Sequence, residues 1–128
     1  MRNEILKGRK ILIVEDDLSS SFYLNKVLEK TGAILLNAGD GQKAIDIASE
    51  NPDLDIILMD IQLPILDGYE AADKIRKLGG KAIIVAQTAY GLTSDRERLI
   101  KSGFNDYVIK PIYSDKLIEK LSSLLKKK

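Results

Sequence analysis

Apolar runs of strand length alternate with segments of helical period along the whole chain, and this alternation limits the fold more than any other feature. The runs are KILIVE, AILLNA, LDIILMD, KAIIVAQT and NDYVIK. Between and after them, apolar residues recur at spacings of three and four. Leu24, Val27 and Leu28 share one helical face, as do Ala44, Ile47 and Ala48, then Ala71, Ile75 and Leu78, and finally Leu117, Leu121 and Leu124. Gly32 ends the first helix, Ser94 and Glu97 are placed as a capping box for the fourth, and Ser114 is placed as the cap of the last. The fourth helix differs in quality, because Leu99 and Ile100 are its only strongly apolar residues between Thr93 and Gly103. It is expected to be the least firmly docked.

Strands that are apolar on both faces, such as IILM and AIIVA, need cover above and below. Right-handed βαβ crossovers supply that cover around a parallel sheet. The expected fold is α/β: a doubly wound five-stranded parallel sheet of order 2-1-3-4-5 with helices on both faces. The short connections fit one domain over residues 1–128. Its core is expected over about residues 9–125, with a short polar start and a solvated tail at Lys126, Lys127 and Lys128.

Composition narrows the chemistry. The chain is 45% hydrophobic and 30% charged, which suits a soluble domain, and 20 Lys and Arg against 19 Asp and Glu give no basic excess for direct nucleic-acid binding. It contains no cysteine and no histidine. Disulfides, thiolate and imidazole metal sites, Ser-His-Asp triads and Cys nucleophiles are thereby excluded. Carboxylate, hydroxyl and amine remain. No apolar stretch approaches the roughly 20 residues that span a bilayer, and the polar start lacks a signal-peptide core, so no membrane partner is expected and the cytoplasm is the expected compartment.

In open parallel sheets, ligands bind beyond the carboxyl ends of the strands. Here the first strand is followed by Glu15, Asp16 and Asp17, the third ends in Asp60, the fourth in Thr88, and the fifth in Lys110 and Pro111. The second ends blandly in Asn37 and Ala38. Any one of these is an ordinary loop or strand residue, but the expected strand order brings three or four acids, a hydroxyl and an amine to one edge. Clustered carboxylates raise one another's pKa and call for a cation. With oxygen ligands only, Mg²⁺ fits best. A carboxylate beside it can attack a phosphoryl group and become an aspartyl phosphate, with Thr88 and Lys110 holding phosphoryl oxygens.

These residues resemble the receiver domains of two-component response regulators and hybrid histidine kinases. The resemblance runs nearly the length of the chain, through KILIVEDD, ILMDIQLPILDGYEA, IIVAQTAYG and GFNDYVIKPI. It implies that Asp60 is the phosphoacceptor, that Asp16 binds Mg²⁺ directly and Glu15 through water, and that the Gln62 backbone carbonyl is a further ligand. It also implies Thr88 as switch hydroxyl, Tyr107 as switch aromatic, Lys110 as phosphate contact, and a cis peptide between Lys110 and Pro111. Gln62 and Tyr90 stand where members tune hydrolysis of the acyl phosphate. Glu15 departs mildly from the pattern, since many members carry Asp there.

Four other classes fit the sequence less well. A phosphatase of the haloacid dehalogenase type needs an acid two residues after its aspartyl nucleophile, where this chain has Gln62. A flavodoxin-like carrier would place a flavin phosphate in the acidic loop EDDLSSS, and a P-loop NTPase needs a motif that is absent. A degenerate receiver acting only as a binding module would not need the complete acid, Thr and Lys set. The implied partners are a sensor histidine kinase or histidine phosphotransfer domain, which must supply the phosphohistidine. A downstream protein is expected on the face made by the fourth helix, fifth strand and fifth helix. A chain of this kind is expected either as a free-standing regulator or as a segment of a hybrid kinase.

Overall fold

A computed structural model describes residues 4–89 and 93–126, with backbone alone at 93–95. Five strands and five helices alternate: β1 (Lys10–Val14), α1 (Leu18–Glu29), β2 (Ile34–Ala38), α2 (Gly41–Glu50), β3 (Ile56–Asp60), α3 (Gly68–Lys77), β4 (Ile83–Thr88), α4 (Thr93–Lys101), β5 (Asp106–Ile109) and α5 (Ser114–Lys126). The strands are all parallel, in the order β2-β1-β3-β4-β5. Every residue of β3 and β4 is buried, as expected for strands covered on both faces, whereas the edge strands β2 and β5 are partly exposed.

The pleat divides the apolar residues between two cores. Leu12, Ile57, Met59, Ile84 and Ala86 face α2, α3 and α4, with Ala44, Ala71, Ile75 and Leu99 packed on them. Ile11, Ile13, Ile56, Leu58 and Val85 face α1 and α5, with Leu24, Leu28, Leu117 and Leu121 on them. Three helices begin at aspartates whose carboxylates accept a hydrogen bond from the amide three residues on: Asp17 from Ser20 at 2.8 Å, Asp40 from Lys43 at 2.8 Å, and Asp67 from Glu70 at 2.9 Å.

Several helix details differ from expectation. In α2, Ile45 is buried with Ala44, while Ile47 and Ala48 are half-buried at the margin, because the stripe is rotated by about one residue. Leu78 is the C-cap of α3 and is 67% exposed, having lost the helical register that would have turned it inward. In α5, Leu125 is buried while Leu124 is half-buried, again a rotation of the stripe. Ser114 is the first residue of α5 rather than a cap, and its hydroxyl donates to neighbouring Asp115. The cap proposed at Ser94 involves a side chain outside the described residues, as do Lys127 and Lys128 of the tail.

At the far end of the α4 segment, one side chain ties two elements together. The Arg76 guanidinium of α3 donates to the carbonyls of Gly103 and Gly80, both at 3.0 Å, and to Asn105 Oδ1 at 2.7 Å. Asn105 Oδ1 also accepts from the Ile84 amide at 2.8 Å. Among the described side chains of α4, Leu99 alone is buried, and Ile100 is exposed.

Candidate functional site

Strand register aligns the acids. Val14 pairs with Met59 and Asp60 with Gln87, so Glu15, Asp60 and Gln87 follow one another across β1, β3 and β4. By the two-residue pleat they share the face of Ile13, Leu58 and Val85, at its carboxyl edge. Thr88 lies on the opposite face, with Ala86 and Tyr107. The strand ends open into a cleft of about 780 Å³, lined by Glu15, Asp16, Asp60, Gln62, Thr88 and Lys110 among others. All six were expected at this edge from sequence.

Asp60 is buried, yet both of its carboxylate oxygens are engaged. Oδ2 accepts from Lys110 Nζ at 3.1 Å, and Oδ1 from the Gln62 backbone amide at 3.1 Å. The rigid β3 fixes the carboxylate while the amine reaches across from the end of β5. Glu15 is also buried. Its Oε2 accepts from the Asp17 amide at 3.1 Å, and its Oε1 has no partner among the described residues. Burial pushes the Glu15 carboxyl up to about 7, and neighbouring Asp60 adds to the rise. The Asp17 amide and Lys110 act in the opposite sense.

Glu15, Asp16 and Asp60 offer carboxylate oxygens that all lie within 4.8 Å of one another. Three hard oxygen donors, one with an unspent buried lone pair, fit a small divalent cation. Asp17, grouped with these acids in the sequence, is engaged elsewhere. It caps α1, and the bond from the Ser20 amide holds its carboxyl below the usual range.

The loop after β3 is held close under the site. A Cβ on Gly68 would lie 2.5 Å from the Asp60 carbonyl oxygen, so only glycine lets α3 begin this near the end of β3. The Gly68 amide donates to the Ile61 carbonyl at 2.7 Å. Within the loop the Leu66 amide donates to the Pro64 carbonyl at 2.8 Å, a γ-turn centred on Ile65 at φ +72°. A β-branched residue in that region is strained, and the exposed Ile65 gains no burial in return.

Thr88 is buried at the end of β4, and Tyr107 is half-buried against the α3–α4 core, two residues before Ile109, the register partner of Thr88. The peptide between Lys110 and Pro111 is cis, as the resemblance implied. Tyr90 lies outside the described residues. Two features were missed in the sequence. Gln87 is 1% exposed and neither polar atom of its side chain has a partner among the described residues. Nothing in an apolar strand marked it; only the register with Asp60 does. Arg98 of α4 lines the cleft with its guanidinium 3.8 Å from the centre of the Tyr69 ring, which in turn meets Phe104 edge-on at 6.1 Å.

Comparison with known proteins agrees with this geometry. The family described as "Response regulator receiver domain" matches residues 11–122. Hybrid signal transduction histidine kinase I of Dictyostelium discoideum is 37% identical over 123 residues, covering 90% of this chain and 7% of that protein. The first several curated relatives are much longer than the chain, which spans from 7% to 17% of their length. The receiver domain of sensor histidine kinase PA1611 from Pseudomonas aeruginosa PAO1, with a magnesium ion coordinated in its active-site cleft, superposes with a TM-score of 0.85. It is 35% identical, and the match covers 93% of this chain and 98% of that one. A co-crystal structure from Saccharomyces cerevisiae, of the histidine phosphotransfer signaling protein Ypd1 and the receiver domain of its downstream response regulator Ssk1, gives a TM-score of 0.84. The identity is 35%, with 91% of this chain and 88% of that one covered. No helix among the described residues is long and apolar enough to cross a membrane.

Proposed function

This chain belongs to the response regulator receiver domains, and from that premise we propose that it is a phosphoacceptor switch whose Asp60 takes a phosphoryl group from a partner's phosphohistidine. The observation that carries this reading is the pairing of a buried strand-end carboxylate with Lys110 Nζ at 3.1 Å beside two further acids. An Asp60 oxygen forms the new O–P bond as the N–P bond to the partner's imidazole breaks, and the imidazole leaves with that electron pair. Lys110 is placed to follow the charge from the carboxylate to the phosphoryl oxygens. The Gln62 amide fixes the rotation of the Asp60 carboxylate, and the Thr88 hydroxyl can donate to a third oxygen.

Glu15, Asp16, Asp60 and the Gln62 carbonyl are the groups that would hold Mg²⁺, Glu15 through water. When bound, the ion would offset the carboxylate charge and the charge of the incoming phosphoryl group. Residues 1–128 hold no histidine, so a phosphohistidine donor lies outside them, on a kinase or phosphotransfer domain. Beside the cleft, α1 exposes Leu18 and Phe22, apolar surface on which such a donor can seat. A downstream protein has Ile100, Ile109 and Tyr113 exposed on the α4–β5–α5 face. If the Thr88 hydroxyl turns toward the phosphoryl group, it vacates space on the side of the sheet where Tyr107 packs, and α4 follows. The exposed amide side chain of Gln62 stands where a dehalogenase-type phosphatase needs an acid, which favours storage of the phosphoryl group over turnover.

The test is intact-mass analysis after incubation with acetyl phosphate and Mg²⁺. One phosphoryl adduct is expected in the native chain. An adduct that persists in Asp60→Asn, or that forms equally well in EDTA, would overturn the assignment.

A further inference from the structure

The row through Glu15 and Asp60 continues one strand further, to a residue that the phosphoryl chemistry leaves unused. Gln87 is 1% exposed, and its Nε2 and Oε1 both lack a partner among the described residues, as does Glu15 Oε1. A buried primary amide that satisfies nothing is strongly unfavourable. The three unsatisfied atoms belong to side chains that flank Asp60 on one face of the sheet, Glu15 on the β1 side and Gln87 on the β4 side. Glu15, Gln87 and Lys110, with Ser20, line both the acid cleft and a second cavity of about 390 Å³ beside it, so together they form the partition between the two spaces. Leu24, Tyr23 and Ile112 stand on the far side, where the Tyr23 hydroxyl donates to the Ile112 carbonyl at 2.8 Å.

The amide's chemistry complements both neighbours. Glu15 Oε1 needs a donor. Lys110 Nζ carries three N–H donors, of which one goes to Asp60. A primary amide presents a donor at one end and an acceptor at the other, so it serves an acid on one side and an ammonium on the other without adding charge to a crowded pocket. An aliphatic residue would fill the same space and leave the Glu15 oxygen without a donor.

We propose that Gln87 is a positioning residue of this pocket: its Nε2 donates to Glu15 Oε1 and its Oε1 accepts from Lys110 Nζ, a bridge reached by rotation of side chains within the partition. The bridge holds the acid and the amine on either side of Asp60. Its effect on metal binding rests on the reading of the pocket given above, whereas the bridge itself does not.

Two measurements on the full chain test it. In the metal-free ¹⁵N-labelled protein, one Gln87 Nε2 proton is expected to exchange slowly with solvent, and its resonance is expected to move in Glu15→Ala. In a Mg²⁺ titration followed by backbone amide shifts, Gln87→Met is expected to bind roughly tenfold more weakly, as for loss of a group that orients a metal ligand, with Gln87→Asn intermediate. Gln87 side-chain protons that exchange as fast as those of the exposed Gln42 and ignore Glu15→Ala would overturn the bridge. So would a folded Gln87→Met with native Mg²⁺ affinity. A native chain that binds no Mg²⁺ would instead overturn the reading of the pocket, and the metal-free amide signals still decide the bridge.

Discussion

Replacing Glu15 by Gln should stabilise the metal-free protein at alkaline pH and leave it unchanged in acid. Burial, reinforced by Asp60, raises the Glu15 carboxyl to about 7 from an ordinary value of 4.5. A carboxyl whose folded pKa is raised contributes stability below its unfolded pKa and loses that contribution as pH climbs through the folded value. The metal-free chain should therefore weaken between pH 4.5 and about 7. The gap between those values sets a ceiling of about 3 kcal/mol. Solvent in the open cleft and the shared titration with Asp60 reduce it to about 1–2 kcal/mol. Gln retains an oxygen to accept from the Asp17 amide, so the change removes charge while keeping that contact. At about 2.1 cal/mol/K of unfolding entropy per residue, 1 kcal/mol moves the melting temperature of a chain this size by about 4 °C. Thermal melts followed by circular dichroism in EDTA should place Glu15→Gln about 4–8 °C above the native chain at pH 8. The gap should close near pH 4.5, and saturating Mg²⁺ should reverse the order at pH 8. A gap of equal size at both pH values, or none at pH 8, would refute the reasoning.

Gly68→Ala should weaken Mg²⁺ binding and destabilise the fold by about 2 kcal/mol, because its Cβ meets the Asp60 and Ile61 backbone; chemical denaturation and the Mg²⁺ titration check both. Tyr90→Ala should shorten the lifetime of the phosphoryl adduct, since a bulky residue two beyond Thr88 is suited to cover the site, and a lifetime that is unchanged or longer removes Tyr90 from this role. Beryllofluoride with Mg²⁺ should shift backbone amides from residue 90 to residue 113, well beyond the pocket. Shifts confined to the loops around Glu15, Asp60 and Thr88 would separate phosphorylation from the α4–β5–α5 face.

The strand order and the placement of the acids were legible because they rest on short-range signals. Runs such as IILM, apolar at every position, have no stable home except between two layers, and polar residues that close such runs must lie at the sheet edge. What escaped depends on register or on exact helix phase. Asp17 reads as a fourth acid at the sheet edge, yet with Ser20 three residues on it is a helix cap, and that local bond decides where its carboxylate points. Leu78 keeps the helical spacing in sequence but stands at the point where α3 ends, so its face is lost. Gln87 is invisible until β4 is aligned with β3, because one polar letter in a strand says nothing about which neighbour it meets. Gly68 is required by close approach to the Asp60 backbone, a contact that no local sequence signal carries.

The Arg76 clamp gives α4 a mechanical polarity. With Gly103 and Asn105 moored to α3, and Leu99 as the buried side chain nearest that mooring, the helix has its pivot at the C-terminal end. Nine residues make a lever about 13 Å long, so a swing of about 10° carries the opposite end through an arc of about 2 Å while the pivot stays still. That opposite end is the one that follows β4 and Thr88 along the chain, so a turn about the clamp is amplified toward the strand that carries the site hydroxyl.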